Sequence, residues 1–171
     1  MQYIKGMQFY QNDKKTAITL GKFDGLHRGH ETLIERVIEH QKNDGVDSVV
    51  FAFDMAPLYE KIKKKKESLI TNEERAGRLF GRVDYLVECP FVEAVSKIEA
   101  ETFIKEILVK QFHAKYIVVG TDFHFGYQKK GDYHMLQQYS GEYGYEVEVI
   151  EKKCYEAVSY THLRAHETRS N

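Results

Sequence analysis

The 171-residue sequence contains no tryptophan, only two prolines and two cysteines, and no excess of charge of either sign. Cys89 and Cys154 lie too far apart to form a metal-type cysteine pair. They indicate reduced thiols of a cytoplasmic protein, with a single disulfide as the alternative. The balance of 25 basic against 26 acidic residues argues against a main role in binding nucleic acid or an anionic membrane. No apolar run approaches the length of a membrane span, and we expect no signal peptide, since Met1 leads into Gln2-Tyr3-Ile4-Lys5.

Apolar residues make up 42% of the chain and charged residues 30%, which is typical of a globular domain. Short apolar runs that indicate buried strands alternate with stretches of helical periodicity. The predicted strands cover residues 16–20, 46–53, 83–87, 115–119 and 146–150, and the predicted helices cover a stretch from residue 30, a stretch from residue 71, 96–112 and 133–143. This alternation predicts the α/β class: a Rossmann-like, open, mostly parallel five-stranded sheet with helices on both faces. Such sheets bind ligands beyond the carboxyl ends of their strands.

The turn after the first predicted strand is rich in glycine and histidine. It reads Gly21-Lys22-Phe23-Asp24-Gly25-Leu26-His27-Arg28-Gly29-His30. Its glycines allow a ligand to approach the backbone, and the helix that follows directs free amide groups toward the same place. His27 and His30 are one helical turn apart, so both imidazoles can donate hydrogen bonds to phosphate oxygens. The turn therefore predicts an anion site.

A glycine-rich turn with two incidental histidines is the structural alternative, and its position between a strand and a helix makes that alternative weaker. The turn is not a Walker loop, since no Gly-Lys-Ser/Thr follows, and its glycine spacing differs from the dinucleotide-binding fingerprint. A zinc site is disfavoured because no third ligand is arranged near the two histidines. We predict no protein metal ligands.

The turn after the fourth predicted strand contains an acid, two aromatic residues and a glycine. It reads Gly120-Thr121-Asp122-Phe123-His124-Phe125-Gly126. Phe123 and Phe125 alternate, so one could face the core while the other faces a pocket that holds a flat ring. Lys129 and Lys130 add positive charge close by. Read alone, this stretch could equally be a structural turn, with Asp132 capping the next helix.

The two turns together resemble the signature of the prokaryotic FAD synthetases. These are the FMN adenylyltransferase half of bifunctional riboflavin kinase/FAD synthetases, within the His-x-Gly-His nucleotidyltransferase superfamily. The first turn matches Gly-x-Phe-Asp-Gly-x-His-x-Gly-His, and the second matches Gly-x-Asp-Phe-x-Phe-Gly. Residues 69–75, 83–87 and 100–104 resemble the middle of the family. The resemblance extends from about Thr16 to Val158.

The resemblance implies transfer of AMP from ATP to FMN, which yields FAD and pyrophosphate, with Mg²⁺ accompanying the substrates. The expected partners are ATP and FMN as small-molecule substrates, without nucleic acid or membrane, and the oligomeric state stays open. His27 and His30 would be catalytic. The implied ATP-binding residues are Gly21, Phe23, Asp24, Gly25, His27, Gly29, His30 and Arg164. The implied flavin- or nucleotide-binding residues are Asp54, Asp122, Phe123, Phe125 and Gly126.

Two departures from the family pattern concern the second strand and the end of the chain. The sequence after the second strand keeps Asp54 and Pro57 but lacks the histidine of the family's Pro-His-Pro. Residues 159–164 fall in register with the family's Ser-Ser-Thr-x-x-Arg, but Tyr160 replaces a serine.

We expect an adenylyltransferase domain over residues 1–158, a truncated or non-native tail over 159–171, and no riboflavin kinase domain. The alternatives are another small-molecule nucleotidyltransferase of the superfamily or a non-catalytic flavin or nucleotide binder.

Overall fold

The computed structural model of the chain describes residues 1–23, 28–61 and 72–151, and their strands form one parallel sheet. The six strands lie in the order β1-β4-β3-β2-β5-β6. Their bounds are β1 (Gln2–Lys5), β2 (Thr16–Gly21), β3 (Asp47–Asp54), β4 (Tyr85–Pro90), β5 (Ala114–Gly120) and β6 (Glu146–Ile150). The predicted α/β class is confirmed.

The prediction of five strands is wrong by one, because β1 was not predicted. This strand lies at an edge of the sheet and pairs with β4, Tyr3 in register with Leu86. It has four residues, of which only Tyr3 and Ile4 are partly buried. So short a strand offers too few residues for a period of two to be detected.

Helices cover both faces of the sheet. They are α1 (Arg28–Asp44), α2 (Ala56–Lys61), α3 (Asn72–Leu79), α4 (Glu93–Ser96), α5 (Ala100–Thr102), α6 (Tyr133–Gln138) and α7 (Ser140–Tyr143). Helix α5 continues as a π-helical segment, Phe103–Gln111. Short 3₁₀ turns occur at Met7–Phe9 and Tyr127–Lys129.

Two predicted helices are divided in the structure. The helix expected over residues 96–112 begins only at Ala100, because Glu99 has an extended backbone (φ −62°, ψ 146°). The helix expected over 133–143 is interrupted at Tyr139 and ends at Gly144, whose left-handed φ of 75° suits glycine. Periodicity continues across such breaks, so it does not reveal them.

Alternate residues of each central strand face opposite hydrophobic layers. One layer lies under α2, α5, the π-helical segment and α6, and the other lies under α1 and α3. The first includes the buried strand residues Ile18, Leu20, Phe51, Phe53, Val87 and Val119. The second includes Ala17, Val50, Ala52, Leu86 and Val118. Strands buried on both faces are typical of parallel sheets.

A buried ion pair joins α3 to β4. The Arg75 guanidinium Nη1 donates to Glu88 Oε2 at 2.8 Å, and the two side chains are only 1% and 3% exposed. Glu88 lies beside Ala52 of β3 in register, and this small residue leaves space on the face that α3 covers. The pair anchors the helix to the sheet.

The chain reverses its direction across the sheet between β2 and β5. It runs from β2 to β3 and β4 on one side, and β5 then pairs with the other side of β2, Ile18 in register with Ile117. This is the position predicted for ligand binding, since the turns after neighbouring strands diverge there and leave a crevice.

The sequence predicts reduced cysteines and no membrane-spanning segment. Cys89 is a free, buried thiol, and burial raises its pKa to about 12, whereas Cys154 lies outside the described residues. Within residues 1–23, 28–61 and 72–151, no helix is long and apolar enough to cross a membrane.

Candidate active site

A cavity of about 610 Å³ lies at the carboxyl ends of β2, β3 and β5. This volume is within the usual range for small-molecule sites. Its polar lining residues include Lys22, His30, Asp122, His124 and Lys129. Its aromatic lining residues are Phe23, Tyr59, Phe53, Phe91, Phe103, Phe123 and Phe125. The cavity joins both turns that the sequence analysis singled out.

The first turn contributes Gly21, Phe23 and His30. A Cβ on Gly21 would lie 3.3 Å from the Phe23 ring, so glycine lets this ring pack against the end of β2. Phe23 is buried and has a left-handed φ of 51°, a conformation that non-glycine residues rarely adopt. Its ring centroid lies 5.2 Å from that of His30. Asp24, Gly25 and His27 lie outside the described residues.

His30 stands in the first turn of α1, at the edge of the cavity. The first amide groups of a helix have no partner within the helix, and the positive end of the helix dipole lies among them. Gly29 precedes His30 in the same turn. This part of the cavity therefore suits an anion, as the sequence predicts.

Phe123 and Phe125 of the second turn form the aromatic wall of the cavity. Their rings lie nearly parallel, with centroids 5.6 Å apart and an interplanar angle of 17°. Phe125 is buried against Phe103, at a centroid distance of 5.6 Å, whereas Phe123 is only half-buried. Both rings line the cavity, and Phe123 is the ring more open to a ligand.

Gly126 allows the second turn to pack against the start of α5. It has a left-handed φ of 81°, and a Cβ there would lie 2.6 Å from the Cα of Ala100. The backbone amide of Tyr127 donates to the Ile98 carbonyl at 2.8 Å. Any larger residue at position 126 would displace the loop that carries both phenylalanines.

The exposed carboxylate of Asp122 is the only acidic group among the described residues that line the cavity. His124 Nδ1 lies 3.0 Å from the backbone carbonyl oxygen of Asp122. In the part of the chain that the structure describes, no group of three or more His, Cys, Asp or Glu residues could hold a metal ion. The lining thus combines two lysines and two histidines with one acid, a balance that favours anionic ligands.

Asp54 does not belong to the described lining of the cavity. Its Oδ1 accepts a hydrogen bond from the Ala56 amide at 3.1 Å, where α2 begins. The side chain thus contacts the start of α2, and its neighbours Phe53 and Met55 line the cavity. The predicted contact of Asp54 with a ligand stays a prediction.

The apolar wall formed by α2 and the segment after β4 was not predicted. Its residues are Met55, Leu58, Tyr59, Phe91, Val95 and Ile98. Dispersed apolar residues in helices and loops carry no sequence pattern that separates a cavity wall from core. Arg164 lies outside the described residues, so its predicted role at ATP stays a prediction.

Residues 9–162 match the family model described as FAD synthetase. The chain is 31% identical over 140 residues to the bifunctional riboflavin kinase/FMN adenylyltransferase of Escherichia coli (strain K12), covering 81% of this chain and 45% of that protein. It is 29% identical over 169 residues to the Haemophilus influenzae protein of the same name, covering 96% of this chain and 55% of that one. The chain thus spans about half the length of the curated relatives it matches.

A solved structure has a similar fold. The crystal structure of a macrolide-efflux protein from Streptococcus pneumoniae superposes with a TM-score of 0.72 at 25% identity. The match covers 88% of this chain and 50% of that one.

Proposed function

Because this chain belongs to the FAD synthetase family, we propose that it transfers the adenylyl group of ATP to FMN, forming FAD and pyrophosphate. One observation carries the proposal: Gly21, Phe23 and His30 of the first turn and the Phe123–Phe125 aromatic pair line the same cavity. The first suits a polyphosphate, and the second suits a flat ring system.

In the proposed reaction, a phosphate oxygen of FMN attacks the α-phosphorus of ATP. A new P–O bond forms, the bond from the α-phosphorus to the bridging oxygen breaks, and pyrophosphate leaves with that oxygen. The protein supplies no nucleophile. Its contribution is to align two anions and to stabilise the charge that accumulates on the leaving group.

His30 would donate a hydrogen bond to the ATP phosphates from the first turn of α1. We propose the same role for His27, with Gly21, Gly25 and Gly29 giving the phosphates access to the backbone. Phe23 would support the His30 ring at their 5.2 Å centroid separation. Asp24 and Arg164 would complete the ATP site.

The flavin ring would lie against Phe123 and the apolar wall beside it. Phe125 and Gly126 would hold that surface in place, since one is buried in the core and the other packs on Ala100. Asp122 would contact the nucleotide or the flavin.

The lining fits a Mg²⁺ ion brought by ATP better than a resident one. Mg²⁺ commonly uses one or two carboxylates together with substrate phosphates. Asp122 supplies one carboxylate at the cavity. When bound, the ion would neutralise charge between the two substrates. We also infer a cytosolic setting, which the free, buried thiol of Cys89 favours.

Pyrophosphate release by the purified chain tests the proposed reaction. With ATP and Mg²⁺ present, we expect release with FMN but not with riboflavin or with pantetheine, nicotinate or polyol phosphates. Release with one of those phosphates and not with FMN would identify another nucleotidyltransferase. Tight FMN binding without release would identify a non-catalytic binder.

A further inference from the structure

The loop beyond the aromatic pair contains two consecutive left-handed residues. Gln128 and Lys129 have φ values of 57° and 56°. Residues other than glycine rarely adopt this backbone conformation, because their Cβ atom crowds the neighbouring carbonyl oxygen. Neither residue is a glycine or an asparagine, so the conformation must be imposed by the surrounding structure.

Hydrogen bonds and packing fix this loop at both ends. Phe125 and Gly131 exchange backbone hydrogen bonds of 3.1 and 2.8 Å, and the Lys129 amide donates to the Gly126 carbonyl at 3.0 Å. Gly126 packs directly on Ala100. Strained backbone that is held in this way gathers at ligand clamps and other functional positions.

The strained turn brings Lys129 to the cavity and not its neighbour Lys130. Both side chains are exposed, but Lys129 lines the cavity, whereas Lys130 is not part of the described lining. Within residues 1–23, 28–61 and 72–151, Lys129 forms no ion pair. The nearby Asp132 already accepts a hydrogen bond from the Met135 amide and lies 3.5 Å from His134. The Lys129 ammonium is therefore available to an anion in the cavity.

We propose that Lys129 binds the terminal phosphate of FMN and thereby distinguishes FMN from riboflavin, an inference that rests on the proposed function. The phosphate is the only group that separates the two flavins, so discrimination requires a contact with it. Lys129 belongs to the same loop as Phe123, so one loop would hold both the ring and the phosphate. His30 stands on the other side of the strand-order reversal, where the ATP phosphates are proposed to bind.

The second lysine of the lining, Lys22, belongs to the first turn, beside Phe23. If Lys129 binds the FMN phosphate, Lys22 contacts the nucleotide and contributes little to the binding of FMN in the absence of ATP. The two lysines therefore have separable effects, one on the flavin and one on ATP.

Flavin binding without ATP tests the proposal, with quenching of flavin fluorescence as the measurement. Lys129→Gln should raise the Kd for FMN about tenfold and leave that for riboflavin unchanged, as expected for loss of one charge-assisted contact. Lys129→Arg should stay within about twofold of the wild type, because it keeps the charge. Lys130→Gln is the matched control and should leave both constants unchanged. Circular dichroism confirms that each variant is folded.

Three results would overturn the assignment. Equal weakening of FMN and riboflavin by Lys129→Gln would indicate a structural role for the loop. An unchanged FMN Kd with a raised KM for ATP would place Lys129 at the nucleotide. A tenfold loss of FMN binding in Lys22→Gln, but not in Lys129→Gln, would transfer the role to Lys22. Failure to form FAD would overturn the proposed reaction and leave this binding test intact.

Discussion

At the scale of single residues, His30 combines the chemistry and the position that the reaction needs. Its side chain is half-buried beside Phe23 and reaches the cavity from the first turn of α1. His40, on the same helix, stacks on Tyr116 at a centroid distance of 3.8 Å and hydrogen-bonds Glu148. One helix therefore carries one histidine directed to the cavity and another that joins α1 to the sheet.

Alanine substitution should separate these two roles. His30→Ala should lower kcat for FAD formation by about 100-fold, because a donor to the developing charge is lost. Its free energy of unfolding should fall by less than about 1 kcal/mol, since the ring is only half-buried.

His40→Ala should show the reverse pattern, a loss of about 1–2 kcal/mol of stability with kcat unchanged. Turnover assays and urea denaturation of both variants check the prediction. Near-wild-type turnover in His30→Ala would remove this residue from the mechanism.

The role of a single residue can be predicted from the sequence when that role depends only on its neighbours along the chain. The pairing of Phe123 and Phe125 is local, because residues two apart on an extended stretch share one face, and both rings line the cavity. The sequence resemblance implies Asp54 as a ligand contact, and in the structure its Oδ1 accepts a hydrogen bond from the Ala56 amide at the start of α2. A carboxylate beside the end of a strand can serve either purpose, so its role toward a ligand stays a prediction.

At the scale of elements, Asp132 sets the start of α6. Its Oδ1 accepts a hydrogen bond from the Met135 amide at 3.1 Å, which is the capping role that the sequence allowed. This hydrogen bond, followed by the contact with His134, lowers the pKa of Asp132 below its ordinary value of 3.8. A lowered carboxyl pKa stabilises the fold above the ordinary pKa, and that stabilisation is lost as the pH falls through the lower, folded-state value.

Removing this cap should therefore have a pH-dependent effect. At pH 7, Asp132→Ala should lower the free energy of unfolding by about 1 kcal/mol, whereas Asp132→Asn should retain most of the stability because asparagine also caps helices. The difference between wild type and Asp132→Ala should shrink as the pH falls below 3.8. Its charge-dependent part is small, because the side chain is 37% exposed and is screened by solvent. Urea titrations across this range test it, and a pH-independent difference would contradict the account.

The buried ion pair between Arg75 and Glu88 links α3 to β4. Arg75→Met should cost about 3–5 kcal/mol, because it leaves a buried carboxylate without its guanidinium. The double variant Arg75→Met/Glu88→Leu should lose less than the sum of the two single variants. Double-mutant cycles by denaturation measure this coupling, and strict additivity would show that the pair contributes no interaction of its own.

Sequence patterns predict elements well where one face is consistently apolar. The bounds of β6 agree with the prediction, and α1 begins within two residues of it. The edge strand β1 and the division of the predicted 96–112 helix escaped prediction, because four residues give no period and a break of three residues, 97–99, leaves the periodicity intact. The buried Arg75–Glu88 pair is not visible either, since charged residues are ordinarily expected at the surface.

At the scale of the whole molecule, strand order explains why two turns about 100 residues apart in sequence form one site. The chain leaves β2 in one direction and returns to pair β5 on its other side, so the turns diverge over a crevice. Near-neutral net charge is compatible with anionic substrates, because a few cationic side chains are concentrated at this crevice. This part of the fold was predictable, whereas the apolar wall depends on packing between distant segments.

The most direct test of the central claim follows isotopic label from ATP into FAD. With ATP labelled at the α-phosphorus, the purified chain should convert FMN into labelled FAD, one molecule for each pyrophosphate released. With ATP labelled at the γ-phosphorus, the label should appear only in pyrophosphate. Release of pyrophosphate from α-labelled ATP without labelled FAD, or transfer of the γ-label to the flavin, would contradict adenylyl transfer to FMN.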